Sequence, residues 1–216
     1  MEVPSPTSKQ TFMPRFLLQT ARIVSLIFSP LHLPLMAMVV LLSFTYMSLL
    51  PVGFTILLLL ITWFFTVGLP RMLTRVYMRL YGLSHADLRK KRNRVMPYAL
   101  TIISYTALLW LMLHFQFPRF LILVGVISLA VLLLCSVINP FYNVSSHAAG
   151  AGAATGTLMG FSLIYGYEAT GWLCLAFLLS GIVCTGRVIL RRHTLGQTAL
   201  GMALGMVTSL ACILLT

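Results

Sequence analysis

Apolar residues run along this chain in long unbroken blocks separated by short polar interruptions. Seven blocks can be drawn: Leu33 to Leu50, Gly53 to Leu69, Pro97 to Phe115, Phe120 to Ile138, Ala148 to Tyr165, Thr170 to Val188 and Leu195 to Leu215. Each is close to the ~20 residues that carry a helix across a bilayer, and none alternates as the strands of a membrane barrel would. The pattern predicts an all-α fold, a polytopic transmembrane helix bundle of six or seven spans. Pro30, Pro34 and Pro51 punctuate the first block. Between the second and third blocks Arg71, Arg75 and Arg79 recur every four residues, with Leu73, Val76, Tyr77 and Leu80 opposite, which predicts an amphipathic helix on the membrane surface.

Composition strengthens the reading. Of 216 residues, 59% are hydrophobic and 8% charged, and the mean hydropathy is +0.98, which excludes a water-soluble globular domain of this length. Cys135, Cys174, Cys184 and Cys212 fall inside apolar runs without metal-site spacing, so they read as small core residues, and no metal or cofactor is expected. Lys9, Arg15 and Arg22 precede the first apolar block with no small-residue cleavage site, as in a retained first span. One membrane domain is expected, with an N-terminal tail over 1–22, N-terminal spans plus the interfacial helix over 23–82, and a helical core over 83–216. Membrane lipids are the expected surroundings; no nucleic-acid partner is expected.

Three polar stretches interrupt the core: "RKKRNRVMPY" (Arg89 to Tyr98), "NVSSHAAGAG" (Asn143 to Gly152) and "TGRVILRRHTLGQTALG" (Thr185 to Gly201). Two spans separate each from the next, with turns at Phe117-Pro118-Arg119 and near Tyr167-Glu168, so all three can meet on one side of the membrane. Arginine inside a span costs on the order of 2.5 to 3.5 kcal/mol and is usually interfacial or functional. Taken singly, the basic run is a juxtamembrane loop, Arg191 and Arg192 snorkel, and His32, His85 and His114 show no partner spacing. Together the stretches suit an anion. Arg187 with Lys90, Lys91 or Arg94 would neutralise a phosphate dianion, and Ser145 and Ser146 precede His147 at a helix start, where free N–H groups favour negative charge. The run of alanine and glycine from Ala148 to Ala154 would let that helix pack closely.

This order of motifs resembles the type 2 phosphatidic acid phosphatase superfamily, from about Arg89 to the C-terminus. The family signature runs K-x6-R-P, P-S-G-H and S-R-x5-H-x3-D. Gly186-Arg187 stands at S-R, five residues follow, then His193, with Gln197 at the place of the aspartate. Val144-Ser145-Ser146-His147 keeps the serine and histidine of the second motif. In the first motif Pro97 follows Met96 rather than arginine, which leaves Lys90, Lys91 and Arg94 as candidates for its basic roles.

The resemblance implies a metal-free phosphatase of lipid phosphate or diphosphate monoesters in a bacterial inner membrane. His193 would be the nucleophile forming a phosphohistidine, and His147 the acid that protonates the leaving lipid oxygen. Arg187, Arg94, Lys90 or Lys91, Ser145 and Ser146 would hold the phosphoryl oxygens. Gln197, one helical turn beyond His193, would orient its imidazole through the amide carbonyl. Phosphatidate, phosphatidylglycerol phosphate, undecaprenyl pyrophosphate and lipid A phosphates are the substrate classes this implies. Two alternatives stay open: a lipid phosphotransferase using the same intermediate, and a non-catalytic protein that binds anionic lipid. The side of the membrane also stays open, because the positive-inside rule points to a cytoplasmic active face and relatives of the family usually work on the outer leaflet.

Overall fold

A computed structural model describes residues 15–44, 50–83, 95–166 and 168–215, and all its regular structure among them is helical. The helices are α1 (Arg15–Ile27), α2 (Leu33–Phe44), α3 (Val52–Trp63), α4 (Leu69–Leu80), α5 (Val95–His114), α6 (Arg119–Ile138), α7 (Ser146–Tyr165), α8 (Thr170–Ile189) and α9 (Leu195–Leu214). Five stretches are long and apolar enough to cross a membrane: Val52–Leu80, α5, α6, α8 and α9. The protein is an all-α integral membrane protein. Two of the expected spans are not among these five. The block from Leu33 to Leu50 is described as α2 only as far as Phe44, and 45–49 lie outside the described residues. The 20-residue α7 is not among the five, because alanine, glycine and hydroxyl residues replace the large apolar ones; it lies at the centre, with Ala148, Ala149 and Thr155 fully buried.

The arginine-bearing helix α4 is not a separate element. It continues α3 through a π-helical turn over Phe64–Gly68, making one rod of 29 residues, roughly 43 Å at 1.5 Å per residue. Pro70 explains the turn. It has no N–H to return to the carbonyl four residues back, and the helix widens just before it so that the Leu69 N–H reaches the Phe64 carbonyl five residues away. The Thr66 hydroxyl donates to the Thr62 carbonyl at 2.7 Å, so this buried turn keeps its polar groups paired. At the other end of the chain's described part, α1 runs through Arg22, so the boundary expected between tail and first span falls inside a helix.

The bundle has two packing regimes. Met38 and Leu42 of α2, Leu58 of α3, Leu108 and Met112 of α5 and Leu121 of α6 form a cluster of large side chains. Between α7 and α9 the backbones themselves touch. Gly152, Gly156 and Gly160 are four residues apart on α7 and face Met202, Met206 and Ile213 of α9, while Gly201 and Gly205 of α9 face the Ser145 and Ala149 carbonyls. In lipid, where the hydrophobic effect does not drive helices together, such small residues supply the close approach that van der Waals attraction needs. On the other flank of α7, the Thr155 and Ser180 hydroxyls lie 3.0 Å apart and both donate to the Ala151 carbonyl, at 3.1 and 3.2 Å.

Turn chemistry then aligns the helix ends. The chain leaves α5 with Gln116 and α8 with Arg191, both left-handed at φ 50°. In each case the N–H of this residue and that of the following one return to the last helical turn, as in Arg191 N–H to Val188 O (2.9 Å) and Arg192 N–H to Arg187 O (3.1 Å). The start of α5, the α6–α7 connection and the α8–α9 connection share one end of the bundle, tied by the hydrogen bonds described next.

Candidate anion site

The α7 N-terminus forms the floor. Ser145 is its N-cap, its hydroxyl accepting from the Ala148 N–H at 3.4 Å, while its own N–H donates to the Gln197 carbonyl of α9 at 3.3 Å. Ser146 bonds sideways, its hydroxyl 2.7 Å from the Tyr98 hydroxyl, which also accepts from the Asn139 amide at 2.8 Å. These contacts fix α5, α6, α7 and α9 to one another around His147.

The α8–α9 connection supplies the second wall. The left-handed Arg191 stops α8, and α9 restarts with Thr194 as N-cap, so Arg187 and His193 are carried by two helix ends joined through a tight link. His193 Nδ1 lies 3.1 Å from the Asn143 carbonyl. A carbonyl only accepts, so Nδ1 carries the proton and the lone pair of the neutral ring sits on Nε2. The expected partner, Gln197, is used elsewhere: its side-chain oxygen accepts from the Thr194 N–H at 3.1 Å and its N–H donates to the Thr194 hydroxyl at 3.3 Å, a reciprocal capping box. The orienting bond to His193 is therefore a backbone carbonyl, because a Gln three residues after a Thr N-cap satisfies the helix start before it can reach the imidazole.

The third wall carries no family motif. Ser25, in the last turn of α1, accepts from Arg187 Nη1 on its hydroxyl at 2.7 Å and from His147 Nε2–H on its carbonyl at 3.1 Å. One residue on, the Leu26 carbonyl accepts from His32 Nδ1–H at 3.1 Å, and Arg71 Nη2 donates to His32 Nε2 at 3.1 Å. His32, which lacks a sequence partner, thus joins α1 to the arginine end of the α3–α4 rod. Arg187 keeps one donor unused: its Nε is buried with no acceptor among the described residues.

The electrostatics have one sign. His147 lies within electrostatic reach of both Arg187 and His193, and Arg187 within reach of Arg192 and Tyr98. Glu168 is the one acidic residue in the described ranges and lies beyond the other end of α7. Ser145, Ser146, His147, Arg187 and His193 thus share one end of the bundle, whereas Lys90, Lys91 and Arg94 lie outside the described residues. Among the described residues no group of three or more His, Cys, Asp or Glu side chains could hold a metal ion. An anion with several acceptor oxygens is what this donor set can take up. Ser25, Tyr98, Asn139 and Asn143 belong to the site and carry no sequence signal beyond a polar residue near an apolar block.

No family model, curated protein or solved structure matches the chain.

Proposed function

We propose that this protein is a metal-independent membrane phosphatase of lipid phosphate or diphosphate monoesters, placed by its family resemblance in a bacterial inner membrane. The observation that carries the reading is a pair of imidazoles in electrostatic reach of each other: His147, which also lies within reach of Arg187, and His193, whose Nδ1 proton is held by the Asn143 carbonyl at 3.1 Å. That tautomer leaves Nε2 of His193 as the nucleophilic nitrogen. In the first step Nε2 bonds to phosphorus as the bond from phosphorus to the lipid oxygen breaks. The leaving oxygen takes a proton from His147, whose protonated form is favoured by the dianion the substrate brings beside it. In the second step water attacks the phosphohistidine, gives a proton back to His147 and releases phosphate, restoring neutral His193. Arg187 and the N–H groups at the start of α7 compensate the charge shifting onto the phosphoryl oxygens.

The test is a trapped intermediate. Protein incubated with a ³²P-labelled lipid phosphate and quenched during turnover should carry acid-labile, alkali-stable label, and His193→Ala none. Label retained by His193→Ala would remove His193 as nucleophile. A second reading, a non-catalytic binder of anionic lipid, is favoured by Gln197, an amide at the place of the motif's aspartate whose side chain is engaged in the α9 cap rather than at His193. Binding of phosphatidate vesicles without phosphate release from any lipid phosphate would select it.

A further inference from the structure

We propose that Ser25 is the resting occupant of the phosphate site, and that the last turn of α1 must swing off α8 before a phosphate can enter. The inference concerns regulation of the site and rests on the phosphate reading above. Its starting point is that Arg187 and His147, the two donors best suited to phosphate, both spend a hydrogen bond on this single residue.

The end of a helix is a fitting stand-in for an anion. The last carbonyls of α1 have no partner within the helix, and the aligned peptide dipoles place about half a negative charge there. The Ser25 and Leu26 carbonyls are taken up by two imidazoles, those of His147 and His32. A cationic pocket without a nearby carboxylate among the described residues is thereby neutralised in part by the chain itself. A phosphate brings full charge and more acceptor oxygens, and its bonds to Arg187 and His147 are charge-assisted, roughly twice as strong as those to a hydroxyl or a peptide carbonyl. Substrate can displace Ser25; the reverse exchange follows product release.

The attachment of α1 suits a moving part. The described part of α1 packs on α8 where Ala21 meets Gly186. Phe16, Ile23 and Leu26 on its other faces are 70%, 57% and 68% exposed, so among the described residues this helix is held along one narrow line. The bonds of Ser25 are the polar part of that line.

The same contact provides a lock. A Cβ on Gly186 would lie 3.9 Å from the Ala21 Cβ, close to the ~3.8 Å found in disulfides. The experiment uses the full chain with Cys135, Cys174, Cys184 and Cys212 replaced by alanine and the pair Ala21→Cys and Gly186→Cys added. Equilibrium binding of ³³P-labelled inorganic phosphate is measured on the detergent-purified protein, oxidised and after reduction. Ser25→Ala is measured beside it. The oxidised pair should bind at least tenfold more weakly than the same sample reduced. Ser25→Ala, which frees the guanidinium while sparing the fold, should bind several-fold more tightly than wild type, as expected on removing one competing hydrogen bond. Equal binding in both redox states, with Ser25→Ala no tighter than wild type, overturns the gate and leaves the anion site standing. No phosphate bound by the reduced pair, wild type or Ser25→Ala overturns the anion site itself, and the gate with it.

Discussion

Alanine at Gly205 perturbs the contact that sets the separation of the two histidines. A Cβ there would overlap the Ala149 carbonyl oxygen of α7 and lie 2.7 Å from its carbon and 2.8 Å from the Ala153 nitrogen. All three are backbone atoms, so no side chain can rotate out of the way. Carbon contacts settle at about 3.5 to 4.0 Å, so α7 and α9 must part locally by roughly an ångström. Overpacking of this kind costs typically 1 to 3 kcal/mol, against ~0.5 to 1 kcal/mol returned by replacing a mid-helix glycine. A net destabilisation of about 1 to 2 kcal/mol is expected. Gly181→Ala is the control, since nothing lies within 4 Å of its added Cβ, and it should gain the helix term alone. The same parting moves His147 on α7 away from His193 at the head of α9, and an ångström of misplacement costs on the order of 10²-fold in rate. Thermal unfolding in one detergent and phosphate release from one lipid phosphate read the two effects. Melting of Gly205→Ala at or above wild type would refute the packing argument; lowered melting with an unchanged rate would refute the link between helix spacing and chemistry.

Other outcomes follow from single contacts. His193→Ala and His147→Ala should each abolish turnover, while His114→Ala, which removes a ring stacked on Trp110 at 5.3 Å far from the site, should keep it; loss of turnover in His114→Ala would show that the variants report folding. Gln197→Leu should lower stability by about 1 kcal/mol through the lost cap and turnover by less than tenfold, and a 10²-fold fall at unchanged melting would give Gln197 a direct role at His193. Arg191→Gly should raise stability by ~1 kcal/mol, because arginine holds a left-handed backbone that glycine adopts freely; a lower melting temperature would show that its side chain contributes more than the strain it carries.

What the sequence made legible is what neighbouring residues decide. The core spans from Phe120, Thr170 and Leu195 match α6, α8 and α9 to within a residue or two at each end, because Pro118, the polar turn after α8 and the Thr194 cap mark where helices can start. The spacing from Arg187 to His193 is likewise local. The change from apolar residues to the arginine repeat at Arg71 reads as the start of a separate element, and the chain runs through it continuously, absorbing Pro70 in a π-helical turn. The partner of His193 was hidden because every residue has a backbone carbonyl, so nothing about Asn143 as a residue type announces it. Ser25 was hidden by distance along the chain, 162 residues from Arg187 and 122 from His147. A serine near the end of a short apolar helix has no local pattern from which such contacts could be read.

The hydroxyl pair of Thr155 and Ser180 acts on more than the two helices it joins. Ser180 and Arg187 are seven residues apart, two turns of α8, and so leave the helix in nearly the same direction. A smooth apolar helix in lipid has little to oppose rotation about its own axis. The contact with Ser180 works as a key in a shaft, fixing the azimuth of α8, and the guanidinium is aimed by a lock set roughly 10 Å deeper in the bundle. With the key removed, α8 could keep its place and its length and still point Arg187 at the lipid.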